Sequence, residues 1–239
     1  MKGRTRRAAL VASAVAGLSL PGAVALGQYG YGSGTGTSSS GGQQQPAADV
    51  KAEGNAFTGG LKFDPPKVSV KVGQIVRWTN TDMIVPHTAT EDHGLWDLAG
   101  TYGMTPANPA GFGPGETRTR VFEAGTEHYY CRVHPQQMHG VVAVPVALSR
   151  TKGPKKNGTR KRLIFAKWAA GPPVAGQVFD VQVMQGKGKW KALRSATRAP
   201  SAKFGAGKSK TLWSVRARLR KASDASAATD WSPVASIKS

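Results

Sequence analysis

Short runs in which apolar and polar residues alternate recur along the chain, and they constrain its fold more than any other feature. In the first half the runs lie at residues 68–72, 75–79, 121–123, 127–131 and 141–144. A period of two is that of a strand with one buried face, and glycine or proline separates the runs. The pattern predicts an all-β fold, an antiparallel sandwich or barrel, for this part of the chain.

The C-terminal half also contains runs of alternating apolar and polar residues, and these runs are shorter. They cover residues 163–168, 178–184, 190–193, 212–219 and 234–237. Gln185-Gly186-Lys187-Gly188 has the composition of a hairpin turn, whereas residues 97–114 have no periodicity and are predicted to form a long loop. We therefore predict a second, smaller β-sandwich, with no internal repeat relating it to the first.

Residues 1–26 have the plan of a signal peptide. Four cations precede an apolar run at 8–20, which Pro21 and a small-residue segment follow. A membrane anchor is the competing interpretation, but a span needs about 20 apolar residues, so the mature chain is expected to have no transmembrane segment. We expect export to a periplasmic, cell-envelope or extracellular location. Thr5-Arg6-Arg7 also resembles a twin-arginine signal, which leaves the general and twin-arginine routes open.

Composition divides the rest of the chain. Residues 27–48 are rich in Gly, Ser and Gln and are predicted to be a flexible linker. Residues 148–160 are rich in Lys, Arg, Gly and Pro and are predicted to be a basic linker. The two sandwiches are then expected at 49–147 and 161–239.

The positive charge lies in the C-terminal part. Residues 49–147 contain 8 Lys or Arg against 10 Asp or Glu, whereas residues 148–239 contain 21 against 3, a net of +18. Such a charge attracts polyanions, although a merely solvated surface is the alternative. We predict that this part binds an anionic cell-envelope polymer or an acidic membrane surface. Nucleic acid would be incidental, because no aromatic stacking platform is evident beside the alternating Arg216, Arg218 and Arg220.

The chain has one cysteine, so an intramolecular disulfide is excluded. Cys131 ends a predicted strand, His134 and Met138 follow it, and His87 lies 44 residues earlier in another loop. Two imidazoles and a thiolate with a weak thioether form the ligand pattern of blue copper. The loop from Cys131 can return His134 and Met138 to one metal before the next strand begins near Gly140.

Some alternatives stay open at this point. Cys131 could be a buried structural thiol, and His139 is a rival to Met138 as axial donor. His93 in its acidic loop is expected to be solvated, and His128 is expected at an exposed strand position. Trp78 is predicted to lie in the core, and Trp96 either in the core or on a partner surface. His93, His128, Trp78 and Trp96 are not assigned to the metal.

The first predicted domain resembles the cupredoxins, the plastocyanin-like blue-copper proteins. The resemblance spans residues 49–147, and its loop between Asp97 and Pro114 is longer than in compact members. The matching positions are Val72-Gly73-Gln74-Ile75-Val76-Arg77-Trp78-Thr79-Asn80, Pro86-His87-Thr88, Pro114-Gly115, Tyr129-Tyr130-Cys131, His134, Met138 and Gly140.

The resemblance implies an eight-stranded Greek-key sandwich with one type 1 copper. It implies that His87, Cys131 and His134 are the equatorial ligands and Met138 the axial one. It also implies that the backbone amide of Thr88 lies near the thiolate. A protein of this kind carries single electrons to and from redox partner proteins and, having no open coordination site, is expected not to be an enzyme.

The second predicted domain is similar to a fibronectin type III module. The likeness rests most on Trp231-Ser232-Pro233 before the last strand and on seven short strands. It implies a spacer or adhesive module and names no ligand. A different class of function remains open for the whole chain, namely an adhesion, structural or copper-storage protein without electron transfer.

Overall fold

The computed structural model describes residues 44–55, 59–100, 110–207 and 209–239, which belong to one compact unit. The predicted signal peptide, the predicted linker up to residue 43 and part of the predicted loop at 97–114 lie outside these ranges. Within them the chain forms sixteen strands and no helix, which confirms the all-β prediction. The described part therefore contains no helix of the length and apolarity that a membrane span requires.

The first sandwich contains nine strands in two sheets. One sheet has the order β2-β1-β4-β7 and the other the order β3-β9-β8-β5-β6. The resemblance implied eight strands; the additional one, β6, is two residues long and pairs only with β5, too short to leave a period in the sequence. The strands are β1 (Ala48–Asn55), β2 (Gly59–Asp64), β3 (Lys67–Ser69), β4 (Ile75–Asn80), β5 (Ala89–Glu91), β6 (Asp97–Leu98), β7 (Thr117–Val121), β8 (Gly125–Tyr130) and β9 (His139–Val144).

Aromatic side chains fill the space between these two sheets. Strand β4 buries every second residue, among them Trp78, as its alternation predicts. Around Trp78 lie the rings of Trp96, Phe122 and Tyr129, with centroids 5.5 to 5.9 Å from that of Trp78. Trp96 is thereby assigned to packing, since it is buried in this cluster. Ring contacts of this kind add to the stabilisation that burial alone provides.

The second sandwich contains seven strands, in sheets of order β10-β11-β14 and β13-β12-β15-β16. Predicted strands match β11, β12, β13, β15 and β16, and the expected turn at Gln185–Gly188 joins β12 to β13. The strands are β10 (Ala147–Lys156), β11 (Thr159–Lys167), β12 (Gln177–Gln185), β13 (Lys191–Thr197), β14 (Ser201–Gly205), β15 (Leu212–Lys221) and β16 (Ala235–Lys238).

Residues 148–160, which were predicted to be a linker, instead form most of a β-hairpin. Strands β10 and β11 pair in antiparallel fashion up to Lys156 and Thr159. Asn157 and Gly158 turn the chain with φ values of 47° and 76°, the left-handed conformations that a two-residue hairpin turn requires. The sequence hides this hairpin because most side chains near its end are exposed, so no apolar period marks the strands.

The predicted arginine stripe on β15 is accompanied by aromatic rings, contrary to expectation. The guanidinium of Arg216 lies 4.4 Å from the ring centroid of Trp190 and 4.6 Å from that of Trp231. Arg218 lies 4.8 Å from the centroid of Trp231. The two tryptophans are 41 positions apart in the chain and only the fold brings them to the stripe, which is why sequence reasoning missed them.

The two sandwiches are joined by direct contacts as well as by the chain. Thr126 and Asp230 exchange two backbone hydrogen bonds of 3.1 and 3.0 Å, and the amide of Ala124 donates to the carbonyl of Trp168 at 2.7 Å. The side chain of Gln177 donates to the carbonyl of Leu95 at 2.6 Å. The pair of bonds at Thr126 ties β8, which leads into Cys131, to the second sandwich.

Candidate metal centre

Cys131 stands at the end of β8 and begins a tight loop that returns to β9. The amide of His134 donates to the carbonyl of Cys131 at 3.1 Å, and the amide of Met138 donates to the carbonyl of His134 at 3.1 Å. The amide of Cys131 in turn donates to the carbonyl of Met138 at 3.0 Å. The loop is therefore closed on itself by backbone bonds, which fix the three potential donors at its two ends and its middle.

His87 comes from a different loop, between β4 and β5, and is fully buried. Its backbone exchanges hydrogen bonds of 3.2 and 2.8 Å with that of Phe112. The buried side chain of Asn80 donates to the carbonyls of Val85 and Phe112, at 2.9 Å each. It also accepts a hydrogen bond of 2.8 Å from the amide of Asp82. Asn80 thus fixes the loop that carries His87, a role that the sequence pattern had not assigned to it.

The fold brings three of the predicted ligands together. The Sγ atom of Cys131 lies 3.7 Å from Nδ1 of His87 and 3.9 Å from Nδ1 of His134. One ligand atom from each of the three residues lies within 4.8 Å of the others, and these residues form the only such group of His, Cys, Asp or Glu in the described ranges. If one metal bound a nitrogen at roughly 2.0 Å and a sulfur at roughly 2.3 Å in a trigonal plane, the nitrogen and the sulfur would lie about 3.7 Å apart. The donor set therefore fits a single small metal ion.

Met138 and His139 differ sharply in their surroundings. Met138 is fully buried, whereas His139 is exposed. His139 begins β9 and pairs with Tyr130, and successive residues of a strand point to opposite faces. The exposed side chain of His139 is thereby directed away from the buried surroundings of Met138.

The sulfur of Cys131 accepts a hydrogen bond from the amide of Thr88 at 3.3 Å, as the resemblance implied. The hydroxyl of Thr88 accepts a bond of 2.8 Å from the amide of Arg132. One threonine thus connects the loop after His87 to the loop after Cys131. A hydrogen bond to a ligating sulfur withdraws charge from it, and such contacts tune a metal centre.

Burial sets the protonation of the two imidazoles. Burial, together with the neighbouring His134 and against the opposing effect of Asp82, lowers the pKa of His87 to about 4. Burial also lowers the pKa of His134. Both rings are therefore neutral near pH 7, which is the form that binds a metal.

The Nε2 edge of the His87 ring, away from Cys131, lies near Asp82. Nε2 of His87 lies 3.7 Å from Oδ2 of Asp82, and neither atom has a hydrogen-bond partner among the described residues. The other oxygen of Asp82 accepts bonds from the amides of Ile84 and Val85 at 2.9 and 3.3 Å. Sequence reasoning gave Asp82 no role, because only the folded loop brings it to the ring.

The remaining histidines behave as predicted. His93 is exposed, and its Nδ1 lies 3.1 Å from Oε1 of Glu91. His128 is exposed on β8, and its Nε2 lies 3.4 Å from Oδ2 of Asp230. Neither belongs to the group of donors around Cys131.

The part of the chain that contains this donor set is similar to known copper proteins. Residues 48–145 match the model of the family described as copper binding proteins, plastocyanin/azurin family. A purple cupredoxin from Nitrosopumilus maritimus is 29% identical, with 41% of this chain and 98% of that chain covered and a TM-score of 0.30. For amicyanin from Paracoccus versutus these values are 27%, 42%, 84% and 0.29. For a mutant fern plastocyanin they are 20%, 40%, 98% and 0.31.

The family match covers the whole first sandwich, and the cysteine and two histidines inside it have the chemistry that the family description names. The prediction of copper as the cofactor is thereby confirmed. The first sandwich is similar to the copper binding proteins of the plastocyanin/azurin family.

Proposed function

We propose that this protein is an exported electron carrier with one type 1 copper. The ligands in this proposal are His87, Cys131 and His134, with Met138 as a weak axial ligand. The observation that carries the proposal is the meeting of two imidazole nitrogens and one thiol sulfur, from two separate loops, within 4.8 Å. The burial of Met138 and the exposure of His139 support the thioether as the axial donor.

Copper bound to such a set supplies a one-electron redox couple. The residues around it keep the ligand positions fixed, because an electron carrier works fastest when both oxidation states fit the same ligand positions. The closed loop at Cys131 and the side chain of Asn80 provide this rigidity. The amide of Thr88 moderates the charge on the sulfur, and the four protein donors leave no open position for substrate, so we propose transfer of electrons and not catalysis.

A redox partner protein can approach the site from the side of His134. This residue is only partly buried, and the three residues that follow it are exposed. His87, Cys131 and Met138 are fully buried, so the edge of His134 is the shortest path between the centre and solvent.

The experiment is a visible absorption spectrum of the purified chain after loading with oxidised copper. An intense thiolate-to-copper charge-transfer band is expected, and Cys131→Ser should abolish it while the protein keeps its β-sheet circular dichroism. His128→Gln, which removes an exposed imidazole outside the donor group, serves as the control and should stay coloured. A colourless wild type or a coloured serine variant would exclude type 1 copper at this site.

We propose further that the second sandwich is a fibronectin type III-like module that anchors the exported protein to anionic envelope polymers. Its seven strands in sheets of three and four support the first part, and its net charge supports the second. We place the boundary of the modules near Val146, between β9 and β10. Retention of the full chain on isolated envelope material should weaken as salt is raised; salt-insensitive retention would contradict an electrostatic anchor.

A further inference from the structure

We propose that the polyanion-binding site of this protein is the basic hairpin, defined as residues 152–162 at the end of β10 and the start of β11. Its ligand is a flexible, phosphate-bearing polymer of the cell envelope. The inference deepens the proposed anchoring function and rests on it. It assigns the attraction to one projecting element and not to the net charge of the second sandwich.

The cations of the basic hairpin are available to a ligand. All of them are exposed, and none forms an ion pair within the described part of the chain. The sequence contains no Asp or Glu from residue 128 to residue 179 that could neutralise them. These cations are Lys152, Lys155, Lys156, Arg160, Lys161 and Arg162.

The pairing of the strands places like charges opposite each other. Lys152 pairs with Arg162, and Lys155 pairs with Arg160. Cross-strand partners share a face with their Cβ atoms about 5 Å apart, and like charges in that arrangement are destabilising. Arg160 and Arg162, two residues apart, also share a face. The result is a quartet of mutually repelling cations, which bound anions would relieve.

The arginine stripe on β15 is less available than its sequence suggests. Arg218 and Arg220 contact Oδ2 of Asp180 at 3.2 and 2.9 Å. Arg216 donates to the side-chain oxygen of Gln182 at 3.0 and 2.7 Å and stacks between two tryptophans. These groups already have carboxylate, amide or aromatic partners inside the protein, whereas the six cations of the basic hairpin lie within eleven positions of the chain and have no carboxylate partner among the described residues.

The shape of the basic hairpin favours a linear polymer over a membrane or a nucleic acid. Lys156 and Lys161 alternate with the quartet and therefore face the other side of the ribbon. A flexible chain can contact both sides at once, whereas a flat lipid surface meets one. The turn residues Asn157 and Gly158 offer no apolar group for insertion, and residues 152–162 contain no aromatic ring on which a base could stack. The guanidinium forks of Arg160 and Arg162 match the geometry of phosphate oxygens and can bind them in bidentate fashion.

The test compares two variants of the full, copper-loaded chain that lose the same charge. In the first, Lys152, Lys155, Arg160 and Arg162 are changed to Gln. In the second, four exposed cations of the other hairpin of this sandwich are changed to Gln, namely Lys187, Lys189, Lys191 and Arg194. The probe is polyglycerol phosphate freed of its lipid, and affinity is measured by titration at two salt concentrations.

The hairpin variant should lose at least about tenfold in affinity at low salt and show a shallower salt dependence, because fewer counterions are released. The control variant should lose less than about threefold. Both should keep the visible copper band, and the melting temperature of the hairpin variant should not fall, since its substitutions remove repulsion. A clear fall in melting temperature would contradict the like-charge argument.

Three outcomes would overturn the proposal while leaving an anchoring role in place. Equal losses in the two variants would assign binding to diffuse charge. Binding to vesicles of phosphatidylcholine and phosphatidylglycerol without binding to the polymer would assign it to a membrane. Tighter binding to single-stranded DNA of equal charge would assign it to nucleic acid. If the wild type binds none of these probes, the anchoring function itself fails.

Discussion

The buried carboxyl group of Glu127 should make the protein less stable as the pH rises. Glu127 lies on β8 and is fully buried, and Nε1 of Trp96 donates a hydrogen bond to its Oε2. Its Oε1 has no hydrogen-bond partner among the described residues. Burial raises the pKa of Glu127 from 4.5 to about 7, against the opposing effect of Arg120. The folded protein therefore holds this proton over a range in which the unfolded chain releases it.

The sign and size of the effect follow from linkage. A carboxyl whose pKa is raised by folding contributes its full stability below pH 4.5, and that contribution is lost as the pH rises through about 7. The difference between the two pKa values corresponds to about 3 kcal/mol. Glu127→Gln removes the titration, so the free energy of unfolding of the variant, relative to that of the wild type, should rise by about 3 kcal/mol from pH 4 to pH 8.

Urea unfolding of the full copper-loaded chain, followed by tryptophan fluorescence at several pH values, measures this gain. The new amide nitrogen replaces the unpartnered oxygen and lowers the free energy of unfolding by about 1 kcal/mol at every pH. This shifts the plot of unfolding free energy against pH without changing its slope. The copper site is the same in both proteins, so its own pH dependence cancels in their difference. A difference in unfolding free energy that stays flat from pH 4 to pH 8 would refute the reasoning.

Three further substitutions test the site and its support. Met138→Leu should keep the visible band and raise the reduction potential, because loss of a weak axial donor destabilises oxidised copper more than reduced copper; loss of copper on titration with a chelator would instead make Met138 a structural ligand. Gly140→Ala should lower the free energy of unfolding by about 3 kcal/mol, since the added Cβ would lie 2.2 Å from Cζ of Tyr129; an unchanged urea midpoint would contradict this. Asn80→Ala removes the side-chain donor to the part-buried carbonyl of Val85 and one of two donors to the carbonyl of Phe112, so the free energy of unfolding should fall by about 2 kcal/mol and copper should exchange faster; wild-type exchange would show that Asn80 does not hold the loop.

The parts of the fold that are written in local patterns could be predicted from the sequence. Strand β4 alternates with a period of two, and its burial follows the pattern. The segment from Cys131 to Met138 contains three soft donors in eight residues, and a closed loop at the end of a strand is enough to bring them together. In such places the neighbours that decide the structure are also neighbours in the chain.

Contacts between distant segments could not be predicted in this way. Asn80 reaches Phe112, which lies 32 residues away, and Asp82 acquires its role only when the loop places it beside the ring of His87. Trp190 and Trp231 meet Arg216 across three separate segments. The end of β10 left no signal for a different reason, since neither face of its ribbon is buried and no apolar period was required.

The junction at Pro145 and Val146 has a mechanical consequence. Only these two residues separate β9 from β10, and Val146 is buried, while Thr126 and Asp230 bond the sandwiches a second time. Such a joint has no hinge, so the two sandwiches should tumble in solution as one rigid particle with one rotational correlation time. If the basic hairpin is held on a polymer, the copper end cannot swing toward a distant partner. The orientation of the whole two-sandwich body relative to the polymer then governs electron exchange with a partner.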